Sequence, residues 1–230
     1  MIYDNLSKYY DALVKDDEAT LKWVEFVKKH STGTKILELA CGSGEITNSL
    51  YKEGYDILAT DFSIGMLEQL HFKYPNIKYK DLNMIDFKVD NSFDTIISFC
   101  DSINYLNDLN ECKSMFKSVY NALNDKGYFI FDMHTKDRLN EFEEEFLEEG
   151  YIDDVAYQWT INTEDNHIHH HFAFYTPKDV LQEYHVQTVF ELNDILNLLN
   201  EVGFNTKVYT DFNYEGIKDG EKYFIVGGKI

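Results

Sequence analysis

Lys35-Ile36-Leu37-Glu38-Leu39-Ala40-Cys41-Gly42-Ser43-Gly44 is a short, mostly apolar run that ends in a two-glycine turn. Beyond the turn, Ile46, Leu50 and Tyr51 recur at helical spacing until Gly54 stops them. A buried strand, a glycine turn and an amphipathic helix in that order open a βαβ unit. Two glycines let the backbone approach a ligand closely, and the helix that follows points its free N–H groups and positive dipole end at that place. In an open α/β sheet this is where ligands bind.

The same alternation extends outward from this stretch. Upstream, Leu21, Val24, Phe26 and Val27 predict a helix over about 18–30, broken by Ser31-Thr32-Gly33. Downstream, strands are predicted over 56–60, 77–80, 93–99 and 128–133, with helices over 63–72 and 109–123. Such alternation predicts a mainly parallel sheet with helices on both faces. From Val155 to Val189 the texture changes to period-two stretches rich in Tyr, Trp, Thr, His and Phe, which predict an antiparallel β insertion, placed within residues 134–189. A last helix over 192–202 closes at Gly203, and two strands follow over 205–211 and 223–229. Their short polar connection, 212–221, is too short for a parallel crossover, so they should pair antiparallel. The acidic run Glu141–Glu149 reads as the solvated face of a helix or as a flexible connector.

Composition narrows the function. With 230 residues and 44% apolar content the chain can bury a substantial core as one domain. Lys and Arg number 21 against 41 Asp and Glu, and the formal charge of −20 opposes nucleic acid and anionic membranes. No run approaches a membrane span, and the start has no basic segment followed by an apolar one. The cysteines, Cys41, Cys100 and Cys112, are odd in number and scattered, which suits reduced thiols in a cytoplasm. Cys41 and Cys100 end neighbouring predicted strands and are expected near each other.

Asp61, one strand beyond the glycine turn, is placed to accept hydrogen bonds from both hydroxyls of a ribose, so the ligand is a nucleoside. Two cofactor classes fit that geometry. A dinucleotide fingerprint needs Gly or Ala where this chain has Thr47, and a pyrophosphate would not favour the buried acid Glu38. An acid there suits the ammonium end of an aminoacyl group instead. An NAD(P)-dependent oxidoreductase and a non-catalytic binding module remain the alternatives.

These residues resemble a known family. Lys35 to Gly44 is similar to motif I of class I S-adenosylmethionine-dependent methyltransferases, and Ala59-Thr60-Asp61-Phe62-Ser63-Ile64-Gly65-Met66-Leu67 to its ribose-binding continuation. Asn83-Met84-Ile85-Asp86-Phe87 resembles the adenine-framing segment, with Asn83 where the family often has Asp. Phe93 to Leu106 is similar to the fourth-strand motif of a small-molecule subgroup that includes aminosugar N-methyltransferases. Gly127 to Asp132 resembles the fifth strand, and Tyr9-Tyr10-Asp11 with Trp23 an N-terminal helical cover spanning residues 1–30. The resemblance implies a single Rossmann-like domain over 1–230, sheet order 3-2-1-4-5-7-6 with strand seven antiparallel. It also implies S-adenosylmethionine as cofactor, held by Tyr10, Glu38, Ala40, Gly42, Gly44, Asp61, Phe62, Met66, Asn83, Met84, Cys100, Asp101 and Tyr105.

Methyl transfer needs alignment and exclusion of water, and a base only when the acceptor must lose a proton. The acceptor is expected to be a small molecule, bound between residues 101–105, His134, the N-terminal tyrosines and the insertion. In the strand Glu183-Tyr184-His185, Glu183 and His185 share a face, and His185 is the candidate general base; a structural histidine paired with Glu183 or a tyrosine is the other reading. His167, His169 and His171 also share a face, but no carboxylate or thiolate accompanies them and no metal is expected.

Overall fold

The structure, a computed structural model, describes residues 6–90 and 92–229. After a short 3₁₀ turn, Leu6–Lys8, come α1 (Tyr10–Val14), α2 (Asp17–His30), β1 (Lys35–Leu39), α3 (Glu45–Lys52), β2 (Asp56–Asp61), α4 (Ile64–Lys73), β3 (Lys78–Asp81) and β4 (Phe93–Ser98). A second 3₁₀ turn, Ser102–Tyr105, leads to α5 (Leu109–Ala122), β5 (Leu123–His134) and α6 (Asp137–Glu141). Then follow β6 (Phe146–Ile152), β7 (Val155–Glu164), β8 (His167–Tyr175), β9 (Val180–Thr188), α7 (Leu192–Val202), β10 (Phe204–Thr210), β11 (Tyr214–Glu215) and β12 (Lys222–Lys229). Of the expected cover, residues 1–5 lie outside the described residues.

One sheet runs β11-β10-β12-β5-β4-β1-β2-β3. The parallel core β3-β2-β1-β4-β5 and the antiparallel β12, inserted between β5 and β10, reproduce the expected order. The two-residue β11 adds an edge strand in the connection expected to be irregular. Side chains alternate across the sheet, so Leu37 and Leu39 pack with Phe129, Phe131, α5 and α7, while Ile36 packs with Ile97, Ile130 and Val24, Phe26 and Val27 of α2. Glu38 shares the parity of Ile36 and therefore points into the α2–α3 layer.

The insertion is a separate antiparallel sheet, β6-β7-β8-β9. Its first strand corrects the reading of the acidic run: residues 146–149 form the start of β6, paired Phe146↔Ile161 through Ile152↔Val155, and only the end of α6 is helical. The ladder to β7 and the Tyr157 hydroxyl donating to Glu148 at 2.6 Å give these acids a strand partner that their own spacing does not announce.

Candidate active site

The loop between β1 and α3 is held in left-handed backbone at Ala40 (φ 54°), Gly42 (φ 55°) and Gly44 (φ 90°). The two glycines serve different ends. A Cβ on Gly42 would meet nothing within 4 Å, so that position leaves room beside the backbone, whereas a Cβ on Gly44 would lie 2.9 Å from Leu70 of α4. Asp61 ties this loop to its own: Oδ2 accepts from Gly42 N–H at 2.8 Å and Oδ1 from Ser63 N–H at 2.8 Å. Burial raises the Asp61 carboxyl above the usual range, and those N–H groups pull it back.

Glu38 is 3% exposed, and its Oε2 accepts from the Thr47 hydroxyl at 2.5 Å. Burial pushes its pKa up to about 8, opposed by the Thr47 bond and reinforced by Asp61. An acid so placed gains most from a cation. Thr47 is therefore not a failed third glycine; its hydroxyl positions the acid.

These groups border a cavity of about 540 Å³. Tyr10, Glu38, Ala40, Gly42, Gly44, Asp61, Phe62, Met66, Asn83, Met84, Cys100 and Tyr105 all line it, as do Cys41 and Trp23. Cys41 and Cys100 thus share the cavity, both as free thiols. Asn83 uses its side-chain carbonyl to accept from Ile85 N–H at 3.0 Å.

Asp101 is the exception among the expected cofactor residues, because it does not line the cavity. It and Cys100 take left-handed backbone (φ 58° and 55°), which turns the carboxylate toward Lys222 and His134. Lys222 also lies 4.0 Å from Asp132, which accepts from Asp101 N–H and from the Trp23 indole N–H, both at 2.8 Å. Burial works against ionisation of Asp101, yet its neighbours hold it below the usual carboxylate range, while burial raises Asp132. Sequence reasoning missed this cluster, since nothing around Lys222 signals that it folds back onto residues about a hundred positions away.

It also missed the latch of the cover. Asp11 on α1 accepts from the Ser43 hydroxyl of the glycine loop and from Lys73 at 2.5 Å, and Lys73 reaches Glu45 at 2.7 Å. On the other side, Tyr9 stacks on Phe174 of the insertion with ring centroids 4.4 Å apart.

Across the insertion's inner face, His185 is buried; its Nε2 lies 2.7 Å from Glu183 and its Nδ1 3.2 Å from the Tyr105 hydroxyl. Both partners named as structural possibilities are thus present together, and His185 itself does not border the cavity. His134 is likewise buried outside it, with Nε2 3.1 Å from Gln187. His170, which sequence reasoning passed over, reaches the same Gln187 oxygen at 3.1 Å, and burial lowers its pKa to about 4. His169 pairs instead with the exposed Tyr184, and no metal-holding group occurs among the described residues.

Residues 36–127 match a family model described as a methyltransferase domain. Over its full length the chain is 26% identical to all of a provisionally named methyltransferase of Geobacillus sp. (strain WCH70). The crystal structure of an S-adenosylmethionine-dependent methyltransferase from Clostridium acetobutylicum ATCC 824 superposes with a TM-score of 0.83 at 24% identity, covering 99% of this chain and 98% of that one. The sugar N-methyltransferase KedS8 from Streptoalloteichus sp. ATCC 53650 follows at 0.78 and 20%, covering 100% and 93%. The last two likenesses are of fold.

A doubly wound sheet with an antiparallel strand inserted beside β5, and a cavity at the ends of β1 and β2, define the fold. The chain is similar in fold, and over residues 36–127 in sequence, to S-adenosylmethionine-dependent methyltransferases. The residues present fit that cofactor: Glu38, Asp61 and Met84 border one cavity, and a buried acid such as Glu38 suits a cationic aminoacyl end. When bound, S-adenosylmethionine supplies an electrophilic methyl group on a good leaving group. The protein's own part is to orient both partners and exclude water. Among the described residues no helix is long and apolar enough to cross a membrane.

Proposed function

We propose that this enzyme methylates a nitrogen or oxygen atom of a small molecule in the cytoplasm. The observation that carries the reading is the cover, which is tied at once to the glycine loop through Asp11 and to the insertion through Tyr9 and Leu6. A cavity roofed in this way suits a compact acceptor better than a polymer threaded across an open face. Leu6, Tyr9, Tyr10, Tyr157, Trp159, Phe172 and Phe174 form one apolar cluster at that roof, a surface suited to a molecule with an apolar side. The net charge of −20 works against nucleic acid as acceptor. The likeness to a sugar N-methyltransferase covers the insertion as well as the core, and it supports an amine-bearing acceptor. Free cysteines at Cys41, Cys100 and Cys112 suit a reduced compartment.

Transfer of a radioactive methyl group to small amines, amino sugars, hydroxy acids, RNA and protein tests the reading. Label in one or more of the small molecules is expected. Label confined to RNA or protein would overturn it.

A further inference from the structure

Strand β9 presents Glu183, His185 and Gln187 on one inward face, and two of them form a directed chain with residues from far away in the sequence. Leu6 N–H, from the cover, donates to Glu183 Oε2 at 2.9 Å. Glu183 Oε1 lies 2.7 Å from His185 Nε2, and His185 Nδ1 lies 3.2 Å from the Tyr105 hydroxyl. A carboxylate only accepts, so Nε2 carries the proton and Nδ1 offers a lone pair to the tyrosine. Tyr105, in turn, lines the cofactor cavity, which His185 does not.

The neighbouring histidines are committed elsewhere. His170 Nδ1 accepts from the Trp159 indole N–H at 3.3 Å, so its Nε2 carries the proton toward Gln187. His134 faces Gln187 and Asp101. Among the described residues, the titratable groups facing His185 include Glu183 on its own strand, His170 opposite it on β8, and Tyr105 on the 3₁₀ turn; Phe172 meets the ring edge-on, with centroids 5.6 Å apart.

We propose that Tyr105, His185 and Glu183 form a proton relay from the methyl acceptor, with the N-terminal cover completing it through Leu6. The relay rests on the methyl-transfer reading above. The N–H or O–H bond of the acceptor breaks as its lone pair takes the methyl group. The proton passes to Tyr105 Oη, while the tyrosine's own proton moves to His185 Nδ1. Glu183 holds the imidazole with Nε2–H toward itself and stabilises the imidazolium. Tyr105 is the catalytic residue of this relay, since it alone of the three lines the cavity; His185 acts through it and Glu183 is a positioning residue. Because Leu6 holds Glu183, an uncovered site has a loosened relay.

The test uses the full-length protein with histidine labelled by 15N, alone and with S-adenosylhomocysteine, as wild type, Tyr105→Phe, His185→Gln and Glu183→Gln. His185→Gln and Glu183→Gln are expected to bind S-adenosylhomocysteine within about twofold of wild type, since neither residue lines the cavity, while Tyr105→Phe is read by turnover. His185 is expected as the Nε2–H form, because the Glu183 carboxylate beside Nε2 only accepts. Once an acceptor is found, kcat should fall roughly a hundredfold in Tyr105→Phe and His185→Gln. The rising limb of the kcat profile should shift to lower pH in Glu183→Gln, which a merely structural carboxylate would not cause. Wild-type kcat in Tyr105→Phe, an Nδ1–H form of His185, or an unmoved kcat profile in Glu183→Gln would overturn the relay. The spectra need no acceptor, so failure of every acceptor tried would count against the proposed function while the relay is decided on His185 alone.

Discussion

The donor side and the acceptor side of this site are built by opposite means. On the donor side Glu38, Gly42 and Gly44 lie within one strand and its turn, and Asp61 ends the adjacent strand, bonded to backbone N–H groups. On the acceptor side Leu6, Tyr105, Glu183 and His185 come from a cover, a 3₁₀ turn and an inserted sheet, joined through side chains and the Leu6 N–H. The first kind of site is set by local backbone geometry and persists if a roof residue changes. The second exists only when three elements are docked, so its substitutions should separate turnover from cofactor binding.

The largest expected effect lies where the two sides meet, at Lys222. It sits beneath the turn that carries Tyr105, through Asp101, and beside Asp132, which holds Trp23 of the cover. Lys222→Met leaves the buried Asp132 and the half-buried Asp101 without their cation and should cost about 3 kcal/mol, read by urea unfolding. Asp101, with its folded pKa lowered, contributes stability that is present above its unfolded pKa and lost as pH falls through the folded one. Without Lys222 the acids instead gain by protonating. The deficit of the variant against wild type should therefore be larger at pH 8 than at pH 5, and an equal deficit at both would contradict the charge account.

Next in size is Gly44→Ala. Left-handed backbone with a Cβ only 2.9 Å from Leu70 should cost roughly 1–3 kcal/mol. Because the loop would relax by shifting toward the cavity, titration calorimetry should also show S-adenosylhomocysteine affinity down by at least about tenfold.

A smaller and more selective effect belongs to Glu38. With its folded pKa raised to about 8, the ligand-free protein keeps this acid protonated and loses stability as pH rises from the ordinary glutamate range through 8. Glu38→Gln should flatten that part of the Tm profile. In wild type the affinity for S-adenosylhomocysteine should rise from pH 6 to 8, since the ammonium favours the ionised acid, and Glu38→Gln should remove the rise.

The same contrast explains what could be read from the chain without coordinates. The strand order and the gathering of Gly42, Gly44 and Asp61 around one cavity were legible, because short-range periodicity and turn chemistry encode them. Residues 146–149 were not, because an acidic edge strand draws its stability from the β7 ladder rather than from its own alternation. The direction of the Asp101 carboxylate was not legible, since its left-handed φ and the distant Lys222 decide where it goes. His185 was expected to face inward and does, but its dependence on Tyr105 and Leu6 spans separations of 80 and more residues.

Calorimetric titration of S-adenosylhomocysteine and of NAD into wild type and Asp61→Ala tests the donor site most directly. Micromolar binding of S-adenosylhomocysteine by wild type is expected, weaker by about a hundredfold in Asp61→Ala as two charge-assisted hydrogen bonds to a ribose are lost, with no binding of NAD to either. Tight NAD binding without S-adenosylhomocysteine binding, or an Asp61→Ala variant that binds S-adenosylhomocysteine as well as wild type does, would contradict the account.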